Sequence, residues 1–350
     1  MIPWKIERRP APMWVRPLIP LISIVLTFLL TGILILAEQV NPFEAYYYFL
    51  IAPLSSRVSA IEVLVKATPL LLTGAAVTFA FAAGYWNIGA EGQFLAGAVA
   101  AAGLGMVVQE LPAVLAIPIL ILGGFAAGML WASIPALLKT RLEIDEVVTT
   151  LLMNTIILFI ISFLLNGAWR SPVSGWPQSP EIAASAVFPK LIERSRLHLG
   201  FLLAWIATGA IWVILRRTPL GLRMRAVGLG KEAARFAGVN VRRTMLTAAL
   251  VSGGIAGLAG VSEVAGIHYH LIEALGSGAG YTGIIVAMLG GLNPLGVSLA
   301  ALFIGLIQTG AQSVSRALGV PIYLGNVVEA ALLLVTLSVL VLQNYRIRRA

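Results

Sequence analysis

Cysteine is absent from this chain of 350 residues, which excludes disulfide staples, thiolate nucleophiles and cysteine-ligated metal sites. Charge is also scarce. Asp, Glu, Lys and Arg make up 11% of the residues against 59% hydrophobic ones, whereas a soluble domain carries roughly a quarter charged residues. A globule of this size cannot hide that apolar load, so a soluble fold is excluded. The short alternating segments of a transmembrane β-barrel are missing too. No nucleotide-binding loop occurs: Gly230-Lys231 is followed by Glu232 where Ser or Thr is needed, and Arg225 stands at the upstream glycine position. The chain does not hydrolyse ATP itself.

What is present in quantity is long apolar runs, with a mean hydropathy of +0.93. A helix needs about 20 apolar residues to cross a hydrocarbon core, and it satisfies its own backbone groups there. Runs near 18–37, 61–83, 89–107, 112–138, 147–166, 199–215, 244–266, 281–292, 297–314 and 323–343 predict an all-α polytopic membrane protein of about ten transmembrane helices. Eight spans plus re-entrant elements is the competing arrangement, because 281–292 is too short to cross unless it tilts or starts in the preceding glycine segment. Leu18 to Ala37 exceeds a signal-peptide core and lacks a small-residue cleavage site, so it reads as a retained first helix.

The formal charge of +9 gathers in the N-terminal tail (Lys5, Arg8, Arg9, Arg16), the loop from Arg216 to Arg243, and the C-terminal tail (Arg346, Arg348, Arg349). Basic clusters beside apolar runs are an orientation signal rather than a nucleic-acid footprint, and they place all three segments in the cytoplasm. The chain thus divides into a cytoplasmic tail 1–17, a transmembrane domain 18–343 with an external loop 167–198 and a cytoplasmic loop 216–243, and a cytoplasmic tail 344–350. Tyr46, Tyr47, Tyr48 and Phe49 read as an interfacial aromatic belt. The external loop, with Trp169 and Trp176, either receives a soluble partner or is an inert connector. Gly124 with Gly128, and Gly253 with Gly257, have the small-xxx-small spacing of closely packed helices.

Polar residues inside apolar runs need a reason. Asn87, Glu91 and Gln93 lie in Gly84-Tyr85-Trp86-Asn87-Ile88-Gly89-Ala90-Glu91-Gly92-Gln93, and Asn154 lies within the run after Asp145 and Glu146. Two roles are open for Glu91. It is an acid at a helix start that organises a bend, or it touches a polar solute. Asn154 either lines a path or makes interhelical hydrogen bonds. Glu62, Lys66 and Glu329 sit near span ends, where snorkelling accounts for them. His268 and His270 have metal-like spacing, but no further ligand joins them at such spacing, and no metal site is predicted. Gly230 to Asn240 holds a short helix pattern ended by glycine. Its Phe236 and small alanines form a compact knob for a partner's groove, with an amphipathic stretch on anionic lipid as the alternative. A second glycine-interrupted segment runs from Gly280-Tyr281-Thr282-Gly283 to Gly290-Gly291-Leu292-Asn293-Pro294-Leu295-Gly296. Paired with the Gly84 segment, it suggests two related halves around a midplane path.

Asn87 to Gln93, Asp145 to Thr150 with Asn154, and Gly230 to Asn240 followed by Tyr281 to Gly296 together resemble permeases of ABC importers. The family is the branched-chain amino acid and simple-sugar superfamily, and the resemblance is strongest to its nucleoside, basic membrane protein-linked branch. It spans roughly 60 to 340, and the first segment is the most specific. It implies a type II ABC importer permease-like fold with two related halves, acting as one of two permease subunits in a heterodimeric pair above a pair of ABC ATPase subunits. Gly230, Glu232, Ala233, Ala234, Phe236 and Gly238 then belong to the coupling helix. Asn87, Glu91, Gln93 and Asn154 are the candidate translocation-path residues. An extracytoplasmic substrate-binding protein delivers the solute, ATP and Mg bind the partner ATPase, and this chain has no catalytic group or cofactor of its own. The implied setting is the cell membrane, with nucleosides as cargo and simple sugars as the alternative. Rival classes are an ion-coupled secondary transporter built on Glu91, an intramembrane enzyme, for which no Ser/His or paired-carboxylate arrangement stands out, and a scaffold, which leaves the Asn87 to Gln93 segment without a task.

Overall fold

The protein was studied as a computed structural model that describes residues 4–8, 18–172, 174–276 and 278–349, of which 4–8, 19, 20 and 340–349 are described by their backbone alone. Helix α1 (Ile19–Ala37) carries a proline in its first turn, where no N–H is needed. A short α2 (Pro42–Tyr46) follows, capped by Asn41, whose Oδ1 accepts the Phe43 N–H at 2.9 Å. Next come α3 (Arg57–Ala82), α4 (Ala90–Val107) and α5 (Ala113–Leu142). Asp145 caps α6 (Glu146–Asn166) by accepting from Val147 and Val148 N–H at 2.8 and 3.2 Å, as an acid before an apolar run should. The remainder is α7 (Leu199–Arg217), α8 (Pro219–Leu229), α9 (Lys231–Phe236), α10 (Val241–Glu263), α11 (Ala279–Leu289), α12 (Pro294–Leu318) and α13 (Leu324–Asn344).

Each of the ten apolar runs falls on a helix. Among the described residues seven helices are long and apolar enough to cross a membrane: α3, α4, α5, α6, α7, α10 with its π-helical extension to His268, and α12. Helices α1 and α13 add the shorter described stretches Leu21–Ala37 and Leu324–Val339, and α11 has 11 residues. Among the described residues the strands form a terminal ladder in which β1 (Trp4–Arg8) pairs antiparallel with β2 (Tyr345–Arg349), besides two isolated bridges, Gln178 with Ile272 and Lys190 with His198. Both tails therefore meet at one end of the bundle. Arg9 and Arg16 of the predicted N-terminal tail lie outside the described residues.

Helix α10 is the central post, packed against α3, α4 and α5, while α12 lies on α3 and α1 on α13. The two glycine pairs meet at the α5–α10 crossing. A Cβ on Gly128 would sit 2.2 Å from the Gly253 carbonyl oxygen, and one on Gly257 2.3 Å from that of Gly124. Backbone contact this close replaces the hydrophobic drive that helices lack inside lipid. Outward faces of α5, α6 and α7 expose Leu122, Phe159, Phe163 and Ile206, which suits a lipid surround.

The aromatic stretch departs from its expected role. Phe49 is fully buried, and its backbone presses on α12, where a Gly310 Cβ would meet the Phe49 carbonyl oxygen at 2.2 Å. Tyr46 hydrogen-bonds the Phe28 carbonyl of α1. Only Tyr47 of this stretch is largely exposed, because the segment is a bracket between α1 and α12 rather than a belt.

The loop 167–198 is a strap stitched across one end of the bundle. The N–H groups of Ile182, Ala183 and Phe188 donate to the carbonyls of Tyr269, Gly105 and Ala265 at 2.8, 2.8 and 2.9 Å. At its end His198 caps α7, with Nδ1 accepting the Gly200 N–H at 3.1 Å. Burial pushes this imidazole down from 6.5 to about 4, against the opposing pull of Glu263. Above 6.5 the ring is neutral in both folded and unfolded chains. Below it the unfolded chain takes up a proton that the folded chain refuses until about 4. Stability is therefore expected to fall across that window, by ~3 kcal/mol at most. His198→Asn keeps a capping acceptor and should flatten the slope. Melting temperatures of the detergent-purified protein near pH 7.5 and about 5.5 check this, and equal slopes in both proteins would refute it.

Candidate functional site

Between α3 and α4 the helix breaks at Gly84, whose φ of +66° turns the chain, and polar side chains take over the lost backbone pairing. Asn87 and Gln93 pair reciprocally: Asn87 Nδ2 donates to Gln93 Oε1 at 2.8 Å, and Gln93 Nε2 to Asn87 Oδ1 at 2.9 Å. Asn87 Oδ1 also accepts the Gly89 N–H at 3.1 Å, and its Nδ2 donates to Ser252 Oγ of α10 at 2.9 Å. Ser252 in turn donates to the Ala76 carbonyl of α3 at 2.7 Å.

Glu91 lies in the first turn of α4 and serves the neighbouring helix. Its Oε1 accepts the Gly278 N–H at 3.1 Å and its Oε2 the Gly280 N–H at 2.6 Å, so the carboxylate caps the start of α11, where the exposed N–H groups favour a negative charge. The approach demands glycine, because a Cβ at Gly280 would sit 2.2 Å from the Glu91 backbone nitrogen. Asn154 of α6 closes the knot, with Oδ1 accepting the Gly92 N–H at 2.9 Å and Nδ2 donating to the Ile88 carbonyl at 3.1 Å and to Tyr281 Oη at 3.0 Å.

The structure thus brings Asn87, Glu91, Gln93 and Asn154 into one buried network joining α3, α4, α6, α10 and α11, with every one of these side chains engaged by protein groups. None of the four is in the wall of the adjoining cavity.

That cavity measures about 590 Å³, within the roughly 300–1,000 Å³ of small-molecule sites. Its floor is the start of α11, with Ala279 and Thr282, and its walls carry Lys66 of α3, Gln308 of α12, and Asn326 and Glu329 of α13. Phe94 and Leu70 add apolar surface. Glu263 and His268 line it near the strap end, with His268 Nε2 at 3.6 Å from Glu263 Oε2. Sequence reasoning did not single out Gln308 or Asn326, and it explained Lys66 and Glu329 by snorkelling. Gln308 lies mid-run in 297–314 and is as conspicuous an intramembrane amide as Asn154, so the rule that singled out Asn154 also finds Gln308. Glu329, six residues into 323–343, was absorbed by the snorkelling explanation, yet its side chain is buried.

At the opposite end α8 seats its last turn under the helix break. A Cβ on Gly84 would lie 3.4 Å from Gly228 Cα, and Tyr85, Val227, Ala234, Val241 and Met245 form one buried cluster. Glu146, behind this break, accepts the Trp86 N–H at 3.4 Å and pairs with Lys139 at 2.5 Å. Gly230 is the N-cap of α9, and Gly238 turns the chain just after it at φ +80°. Glu232, Ala233, Phe236 and Gly238 are exposed, Phe236 at 97%, whereas Ala234 is buried within the chain and is not on the surface of the knob.

The profile of the family described as branched-chain amino acid transport system / permease component matches residues 59–337. A glucose ABC transporter permease protein of Haloferax volcanii is 34% identical to this chain over 97% of it and 92% of the relative. The guanosine ABC transporter permease protein NupP of Bacillus subtilis is 34% identical over 92% of this chain and 93% of its own. A second guanosine ABC transporter permease protein of that organism, NupQ, is 31% identical over 70% of this chain and 79% of its own. No solved structure matches the chain.

Proposed function

The chain belongs to the branched-chain amino acid transport system / permease component family of ABC transporter permeases, and on that premise we propose that it forms the path for nucleosides in an ATP-driven importer. The observation that carries this reading is the cavity with polar walls on the floor of α11, linked to the exposed α9 by one continuous packed route. Phe236 is offered to an ATPase partner, and the α8–α9 cluster presses on the Gly84 break. The Asn87–Gln93 pair and Glu91 connect that break to α11, and α11 carries Thr282 into the cavity. A shift of α9 driven by ATP in the partner then tilts α11 and alternates access. In this reading Asn87, Glu91, Gln93 and Asn154 position the moving helix and do not touch cargo. Coupling along such a route needs two discrete arrangements of its elements, and the short α11 beside a helix break is suited to supply them.

The remaining assignments rest on the same premise. Ten helices, with α11 as the short one, return both tails to a single side, consistent with the β1–β2 ladder. The basic residues Lys139, Arg141, Arg216, Arg217 and Arg235 flank the break end, which favours the cytoplasm for that end and the extracytoplasmic side for the strap, where a binding protein would dock. Two glycine-broken starts, at α4 and α11, meet at Glu91 as paired halves would. The two guanosine permeases of Bacillus subtilis support a second, different permease as the partner here. A sugar importer is the second reading, favoured by the Haloferax volcanii glucose permease, which matches across nearly the whole chain.

Reconstitution with the ATPase, the second permease and the binding protein tests the proposal. ATP-dependent uptake of guanosine that glucose does not inhibit is the expected result. Uptake of glucose alone would replace the nucleoside reading with the sugar one. Uptake by this chain without any ATPase would overturn the importer in favour of a secondary carrier.

A further inference from the structure

Glu329 stands out in the cavity. The residue is only 6% exposed, its Oε2 accepts the Thr282 hydroxyl at 3.1 Å, and its Oε1 makes no close hydrogen bond, with the Gln308 amide lying beside the carboxyl group. A buried acceptor left unpaired is costly, and it persists where something else fills it. Lys66 and Gln308, which only donate or can donate, line the same cavity from two other helices. Among the described residues Lys66 makes no ion pair with any carboxylate. We infer that Glu329, held in place by Thr282 and flanked by Lys66 and Gln308, grips two adjacent hydroxyls of a sugar ring as the solute passes.

The chemistry fits the groups. An acidic side chain accepts hydroxyl protons, as carboxylates do on ribose hydroxyls elsewhere, while an ammonium and an amide donate to the hydroxyl oxygens. An adjacent hydroxyl pair is shared by the ribose of a nucleoside and by a pyranose. One subsite would thus serve either cargo of the proposed function, on which this inference rests. It also gives Thr282 a role: a helix whose start is moved from the break carries the residue that orients the gripping carboxylate.

The test is uptake by the complete reconstituted importer at solute concentrations that saturate its binding protein. Guanosine is compared with 2′,3′-dideoxyguanosine, and glucose with 2,3-dideoxyglucose, in wild type and in Glu329→Gln. The wild type should favour the hydroxylated solute about tenfold or more, and Glu329→Gln, which keeps an acceptor for Thr282, should bring that ratio close to one. The pair that shows the preference identifies the cargo. A ratio unchanged by the substitution, or uptake of both solutes reduced equally, would mean that Glu329 is a structural residue and overturn the inference while leaving the importer standing. A wild type that moves neither guanosine nor glucose removes the importer reading and this inference with it. Should Glu329→Gln not fold, Gln308→Leu carries the same comparison, and an unaltered ratio there overturns the inference equally.

Discussion

Replacing Glu91 with leucine is expected to unfold the protein more readily and to reduce ATP-driven uptake at least about tenfold. The carboxylate accepts the part-buried Gly278 N–H and the buried Gly280 N–H at the start of α11. An orphaned buried donor costs about 1–3 kcal/mol, so losing the Gly280 contact and weakening the Gly278 one ranks this among the most damaging single changes. Glu91→Gln should fall between, since an amide offers one acceptor where the carboxylate offers two. Glu62→Gln is the control. Glu62 pairs with Arg196 in a bridge whose partners are 25% and 55% exposed, a class worth about 0–1 kcal/mol. Thermal unfolding in detergent and uptake in vesicles should rank the variants Leu, Gln, then the control. A Glu91→Leu protein as stable as wild type would show that α11 does not hang on this contact.

Phe236→Asp is expected to give the opposite pattern, an uptake loss of about tenfold or more with an unchanged melting temperature. Phe236 is almost fully exposed at the end of α9, an isolated aromatic that the chain itself does not bury, and if it docks in the ATPase as proposed it is the kind of anchor that carries most of an interface's energy. A charge there would be buried unpaired on docking. Ala234→Leu, two residues away, should behave differently, because Ala234 is packed among Tyr85, Val227 and Met245. Overfilling that cluster costs about 1–3 kcal/mol, so its uptake defect should come with lost stability. Recovering the ATPase with each purified variant separates the cases. Phe236→Asp that still binds the ATPase and transports normally would remove α9 from the coupling route.

The helices were legible because span length and apolarity are local properties, and lipid imposes them on every segment that crosses. The site was legible in part. The glycine-broken segment announced Asn87, Glu91 and Gln93 as residues that needed partners, but not which partners. Glu91 lies 187 positions before Gly278 in the chain and beside it in space, and nothing in sequence spacing states that pairing. Lys66, Gln308 and Glu329 were each dismissed or overlooked for the same reason. Singly they are ordinary polar residues of three helices, and only the packing of α3, α12 and α13 around α11 makes them one wall. The aromatic stretch failed in the other direction. Its composition suited an interface, whereas Gly310 opens a slot that draws Phe49 into the bundle.

By itself the sequence determined that this protein crosses a membrane many times and where the helices break. Those conclusions follow from hydropathy and glycine placement, each readable within a few tens of residues. Tertiary structure alone decided that the polar residues at the break are all met by protein groups, Glu91 and Asn154 by groups of α11, that the cavity lies beyond them with Glu329 in its wall, and that Ala234 faces inward while Phe236 faces out. A buried polar group's role is set by whether a partner meets it, and in a helical bundle that partner comes from a different helix, far away along the chain.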